Sequence, residues 1–488
     1  MSASGSQFSR GGTRWTLVLT SVAFFMVALD ALVVTTALPA VRRDVGGGVG
    51  TLEWVINAYL LAFAAGIIPA AALGDRLGRR RVYVAGLSLF VMASAACALA
   101  PTAEILIAAR VVQGLGAAIV TPLSLTILTG AFPVERRGAV LGIWGAIAGL
   151  AIAAGPLVGG AVTQGLNWHW IFWVNVPIGA AAAVLSTVKL EESRGPRTSI
   201  DLPGLLLIAT GAVGLAYGLV RAADEGWRAV DVDASLIAGA VLIVAFAAWE
   251  RRTSEPMLPP RLFTRPGFTA AVAVGFLMTA AITSAAFLMS QFFQLGLGFS
   301  PLGTGIRFLP WTATPLLVAP LAGAWSDRVG RRPMLIAGLA LQAAGLLAVA
   351  GLASTGVSYI ELLVPLVVAG VGISMALPAA TAAALNAAAP QDLGKAAGAT
   401  NTLQRFGGVF GVAAVSALFA ATGHLGSGAT VIAGLKPALA LAAGFSLLGA
   451  LSAVAVTGRR SAVATPQAAV SLSEPGSLER EPVVAEVA

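Results

Sequence analysis

One acid, Asp30, stands alone in a long apolar stretch, with no other charged residue between Arg14 and Arg42. A charge held uncompensated at the middle of an apolar helix costs at least about 2.5 kcal/mol. Such a residue has to be paired, or has to titrate. A carboxylate withdrawn from water is easier to protonate, so Asp30 is a candidate proton carrier; the plainer alternative is an acid that faces water near the end of its helix. The second charge of this kind is Arg110, in ILIAARVVQGLGAAIV. Its guanidinium stays protonated, so it can bias a nearby carboxylate toward ionisation, and Asp30 is the obvious partner. Protonating the acid would release the pair and could trigger a switch between two open forms. The alternative is an arginine that only ties down carbonyls or reaches for the interface.

A second kind of chemistry belongs to two turns, ALGDRLGRRR (72–81) and AWSDRVGRRP (324–333). Orientation alone explains short basic turns, but not the acid inside each. Asp75, Arg76, Gly78, Arg79 and Arg80 in the first copy, with Asp327, Arg328, Gly330 and Arg331 in the second, form a candidate gate latch in which the carboxylate holds helix ends or guanidiniums in one state. In GLAIAAGPLVGG, Gly155, Gly159 and Gly160 allow close helix approach while Pro156 removes a backbone hydrogen bond, a combination suited either to a sliding interface or to ordinary glycine packing. Trp54, Asn57, Gln113, Gln291 and Gln294 are candidates to line a cavity for bulky amphipathic molecules, although each could equally anchor an interface or join helices. Trp168, Trp170 and Trp173 fit an interfacial belt with His169 beside them.

The chemistry of enzymes is poorly represented. His169 and His424 are the only histidines, Cys97 is the only cysteine and lies in an apolar run, and no G-x-x-x-x-G-K-[ST] loop occurs. An enzyme, a metal cluster, a cofactor and direct use of ATP are therefore not expected, and the energy source must be an ion gradient with protons as the coupling ion. One charge moved through 100 mV is worth about 2.3 kcal/mol.

These residues need helices in lipid to position them. The chain has 488 residues, 57% hydrophobic and 11% charged, with a mean hydropathy of +0.87, far beyond a water-soluble fold. Apolar runs predict an all-α polytopic membrane protein with helices near 15–39, 53–73, 82–100, 104–129, 138–163, 170–188, 201–220, 233–250, 268–294, 303–324, 333–352, 358–388, 395–421 and 431–457, about 14 in all. The tenth, with Pro310, Pro315 and Pro320, should be bent. An even count puts both termini on one side. Of the 30 Lys and Arg, 22 fall on that side, which predicts cytoplasmic termini and accounts for the net charge of +8 without nucleic acid.

The repeated turns imply a duplicated bundle. The expected plan is a cytoplasmic N-terminus (1–14), a six-helix bundle (15–188), a cytoplasmic linker (189–204), two inserted helices (201–250), a second six-helix bundle (268–457) and a disordered cytoplasmic tail (458–488). A substrate path would run between the halves near the middle of the bilayer.

LDALVVTTALP (29–39), the two turns, ARVVQGLGAA (109–118), GPLVGG (155–160), WHWIFWVNVPIG (168–179) and NTLQRFGGVFG (401–411) occur in an order that resembles the major facilitator superfamily and, within it, the 14-helix drug:proton antiporter branch. Leu32 and Thr35 replace the usual Thr and Asn of the first motif, and Ala71 replaces a usual Gly. The resemblance implies a bacterial cytoplasmic-membrane antiporter, monomeric and surrounded by lipid, that exports drugs or antibiotics in exchange for protons by alternating access. It also implies coupling through Asp30 and Arg110 and gating through the two turns. A narrow-substrate exporter of an endogenous metabolite or lipid, and a receptor or scaffold that transports nothing, are the alternatives.

Overall fold

A computed structural model describes residues 10–195, 201–225, 229–254, 256–389 and 392–456. Among them every regular element is helical: α1 (Arg10–Val45), α2 (Val49–Leu77), α3 (Arg79–Ala98), α4 (Ala103–Gly130), α5 (Val134–Gly165), α6 (Trp170–Trp173), α7 (Asn175–Lys189), α8 (Leu202–Glu225), α9 (Val230–Glu250), α10 (Pro260–Phe263), α11 (Pro266–Gln291), α12 (Pro301–Thr312), α13 (Thr314–Val329), α14 (Arg331–Leu352), α15 (Tyr359–Ala387), α16 (Leu393–Thr422) and α17 (Gly428–Ala453). Twelve helices are long and apolar enough to cross a membrane. The other two of the fourteen expected places are filled by α5 and by the α12–α13 pair.

The tenth helix, expected to bend, is interrupted at a single residue. Pro315 cannot donate to the Trp311 carbonyl and disfavours helical backbone at Thr314, so the helix interrupts at Ala313. The first helix begins at Arg10, ahead of the expected Trp15, and the ninth ends in a π-helical turn, Phe292–Gly296. The tail lies outside the described residues.

Duplication is visible in the packing. In the first half α1 packs on α5, α2 and α3 on α4, and α3 on α7; in the second half α11 packs on α16, α13 and α14 on α15, and α14 on α17. Each pairing is the counterpart of the other by position in the repeat. The halves meet through the matching pairs α5 with α12 and α2 with α16. The fold is thus two six-helix bundles with α8 and α9 inserted between them, and α8 lies against both α2 and α16.

Small residues set these approaches. A Cβ at Gly338 would lie 2.7 Å from the Gly372 carbonyl oxygen, and one at Gly345 would lie 2.6 Å from the Pro365 carbonyl oxygen, so α14 and α15 touch backbone to backbone. The free N–H groups at helix starts are met by side chains: Thr102 caps α4, Ser300 caps α12, Ser427 caps α17, and Ser358 with Glu361 forms a capping box on α15.

Candidate functional site: a buried acid and two closures

Five helices converge on Asp30. Its Oδ2 accepts from Arg110 Nη1 at 2.6 Å, and its Oδ1 accepts from Gln113 Nε2 at 2.9 Å and from Asn175 Nδ2 at 2.8 Å. The Asp30 and Arg110 side chains are each 1% exposed. Arg110 is held in turn: Nε donates to the Val55 carbonyl at 3.1 Å, Nη1 to Gln113 Oε1 at 2.7 Å, and the guanidinium lies over the Tyr59 ring at 4.1 Å. Ser94 Oγ accepts from Gln113 Nε2 at 2.8 Å. A buried ion pair survives where extra hydrogen bonds satisfy its remaining lone pairs, and this one is satisfied on both sides.

The chemical consequence lies in the sense of these bonds. Every group facing the Asp30 carboxylate is a donor. A proton placed on either oxygen would point at another donor and would need an acceptor. The shell thus ties α1 to α4 and α7 through one carboxylate.

Sequence spacing finds Asp30, Arg110 and Gln113, and the structure places Gln113, a cavity candidate, in hydrogen bonds with the acid and its arginine. Asn175 and Ser94 escape it. Asn175 stands at the start of α7, and Ser94 is a small polar residue in a run of alanines; only the fold brings them together.

The first basic turn is built around Gly78, whose φ of 116° closes α2 and opens α3 in one residue; Gly330 repeats this with φ 97° between α13 and α14. Asp75, in the last turn of α2, pairs with Arg79, the first residue of α3, at 2.8 Å across Gly78. The surprise is the linker. Arg80 N–H donates to Glu192 Oε1 at 3.0 Å, Arg79 N–H to the Ser193 carbonyl at 2.8 Å, and Gly195 N–H to the Asp75 carbonyl at 3.2 Å. Arg80 and Arg81 also flank the Glu192 carboxylate. The segment 190–195 is strapped across the turn, an acid-for-base match between residues more than a hundred positions apart. The side chain of Asp327 lies outside the described residues.

At the opposite end the halves close on each other. A Cβ at Gly155 would lie 2.6 Å from Leu32 Cβ, one at Gly159 would strike Val33 and Thr36, and one at Gly160 would run into the Pro301 carbonyl. The motif thus packs α5 on α1 through two glycines and on α12 through the third. The Pro156 carbonyl in turn fills the space beside Gly305. Ser290 Oγ donates to the Thr35 carbonyl at 2.6 Å, Gln294 Nε2 to the Thr36 carbonyl at 2.8 Å, and Arg42 Nη1 to the Leu425 carbonyl at 3.0 Å. Gln294 is therefore a tie between the halves.

Of the remaining candidates, Asn57 and Gln291 are fully buried, with amide groups that meet no hydrogen-bond partner among the described residues. Trp54 is half-buried against the core. Trp168 is 3% exposed, stacks on His169, and donates to Asp44 at 2.8 Å. Trp170, 44% exposed, keeps the interfacial character.

Comparison with known proteins follows the geometry. The family model described as Major Facilitator Superfamily matches residues 20–412, and again 271–484. The multidrug resistance protein Stp of Mycobacterium tuberculosis is 36% identical over 408 residues, 83% of this chain and 76% of that protein. The methylenomycin A resistance protein of Streptomyces coelicolor is 33% identical over 470 residues, 94% of this chain and 96% of that one. Among solved structures, a POT family transporter in complex with a thioalcohol-conjugated peptide superposes with a TM-score of 0.69 at 14% identity, covering 92% of this chain and 97% of that chain. That likeness concerns the fold alone.

Proposed function

We propose a function from one premise: the chain belongs to the major facilitator superfamily. It exports drugs or antibiotics across a bacterial cytoplasmic membrane in exchange for protons, as a monomer with both termini in the cytoplasm. The relatives' names as resistance proteins support the export of small molecules. The orientation rests on the excess of Lys and Arg on the side of the termini.

The observation that carries proton coupling is the all-donor shell of Asp30. In the closed arrangement the acid is ionised and locked to Arg110. A proton arriving from outside neutralises it, breaks the pair and leaves Arg110 to its other partners, Val55 and Gln113. Helices α1, α4 and α7 then lose the bonds that fix their spacing, and the far-side closure of α1 with α5 and α11 can yield. Releasing the proton on the cytoplasmic side restores the shell. The turn at Asp75 and the strap at Glu192 form the matching cytoplasmic latch.

The test is proton movement in inverted membrane vesicles on addition of a panel of lipophilic compounds. The native chain should move protons when a substrate is added, and Asp30→Asn should not. Undiminished movement in the variant would remove Asp30 from the mechanism.

A further inference from the structure

One cation left unused by this mechanism is Arg405. It lies in α16, half-buried, on the face that meets α2: Gly398 lies against Ile68, and Gly408 against Leu60 and Thr283. Residues 398, 402, 405 and 408 recur at helical spacing, so they share that face. The Arg405 guanidinium sits 4.4 Å from the Phe63 ring centre, and among the described residues no carboxylate lies within ion-pair distance of it. Arg110, by contrast, has Asp30. An arginine held in the seam between two halves of a membrane protein, against the Phe63 ring and near Tyr59 but with no carboxylate beside it among the described residues, is a costly arrangement.

Its surroundings supply more donors. Thr402, one turn away and 4% exposed, has a hydroxyl with no partner among the described residues, and Asn57, one turn from Leu60 on the same side of α2, has an unpartnered amide. Hydroxyl, amide and guanidinium can all donate to an acidic oxygen. Phe63 meets Tyr59 edge-on at 5.8 Å, which gives an aromatic surface beside the cation. Together these features place a cation, an unpartnered hydroxyl and an apolar ring on the seam between α2 and α16.

We infer that Arg405 receives an acidic group, so that the substrates of this chain include amphipathic organic anions with a carboxylate or similar group beside an aromatic body. The inference deepens the proposed export function and rests on it for the word substrate. A guanidinium already oriented over Phe63 offers two parallel N–H groups to a carboxylate, and Thr402 adds a third donor. Exchange of a monoanion for a proton also moves two charges per cycle, so the membrane potential would drive it twice over.

Fluorescein and rhodamine 123, an anion and a cation on one aromatic framework, make the test. Anisotropy reports their binding to the purified full chain, and efflux from energised cells reports transport. The native chain should prefer fluorescein. Arg405→Gln should lower the preference about tenfold or more, as loss of a charge-assisted bond predicts; Arg405→Lys should recover much of it, which also shows that loss does not reflect misfolding. Thr402→Val should weaken fluorescein binding by a smaller factor. Absence of fluorescein binding by the native chain, preference for rhodamine, or an unchanged ratio in Arg405→Gln would overturn the inference. Fluorescein bound through Arg405 but never exported would instead refute the export function and leave the anion site standing.

Discussion

Consider Arg110→Gln together with its partner change Asp30→Asn. In the native chain Arg110 makes three hydrogen bonds, at 2.6, 2.7 and 3.1 Å, and a ring contact, with both members of the pair 1% exposed. Removing the arginine strands the carboxylate with two neutral amide donors, and removing one partner of a buried pair typically costs about 3–5 kcal/mol. Asp30→Asn strands the guanidinium and, because its new amide N–H group must face at least one donor, should cost a similar amount. The double variant has no charge to strand. Its loss should therefore fall short of the sum of the two single losses by at least about 2 kcal/mol, within the range of coupling between contacting residues. Reversible denaturation of the purified protein, or a thermal shift converted through the unfolding entropy, measures all four corners of the cycle. Losses that simply add would refute the pairing as an energetic unit, and proton coupling in the double variant would refute it as a mechanism.

Gly160→Val should prevent close seating of α5 on the Pro301 backbone; with Gln294→Cys as a reporter, labelling from outside should rise several-fold over the same reporter alone, and equal labelling would count against the closure. The background is favourable because Cys97 is fully buried. Gly78→Ala places a Cβ at φ 116° and 2.8 Å from the Glu192 carboxyl, which should destabilise the chain by about 1–3 kcal/mol in thermal unfolding. Glu192→Ala releases the strap from Arg80 and Arg81; trypsin cleavage after exposed Arg194 should accelerate, and an unchanged rate would mean that the strap is held by its backbone bonds alone.

Helix number, the duplication and the charges inside helices were legible because each is a local property: a run of apolar residues, a repeated string, a lone acid. The break at Ala313 was half legible, since prolines announce a disturbance but not whether the axis bends or stops. Asn175 and Glu192 were not. An asparagine at a helix start and a glutamate in a charged linker are common in isolation, and their meaning comes from α7 reaching Asp30 and from segment 190–195 crossing the turn at Gly78. Gln113 and Gln294 were legible as special but not as to purpose, because a polar side chain in an apolar helix says that something is bonded and not what.

The inserted pair was first met as an arithmetic remainder between two repeats. Since α8 leans on both α2 and α16, it covers the very seam in which Arg405 lies, while among the described residues the seam between α5 and α12 is closed by direct glycine contacts. The two flanks of a pseudo-symmetric molecule are thereby made unequal: one seam is roofed by the inserted pair, and the other is sealed by its own backbone contacts.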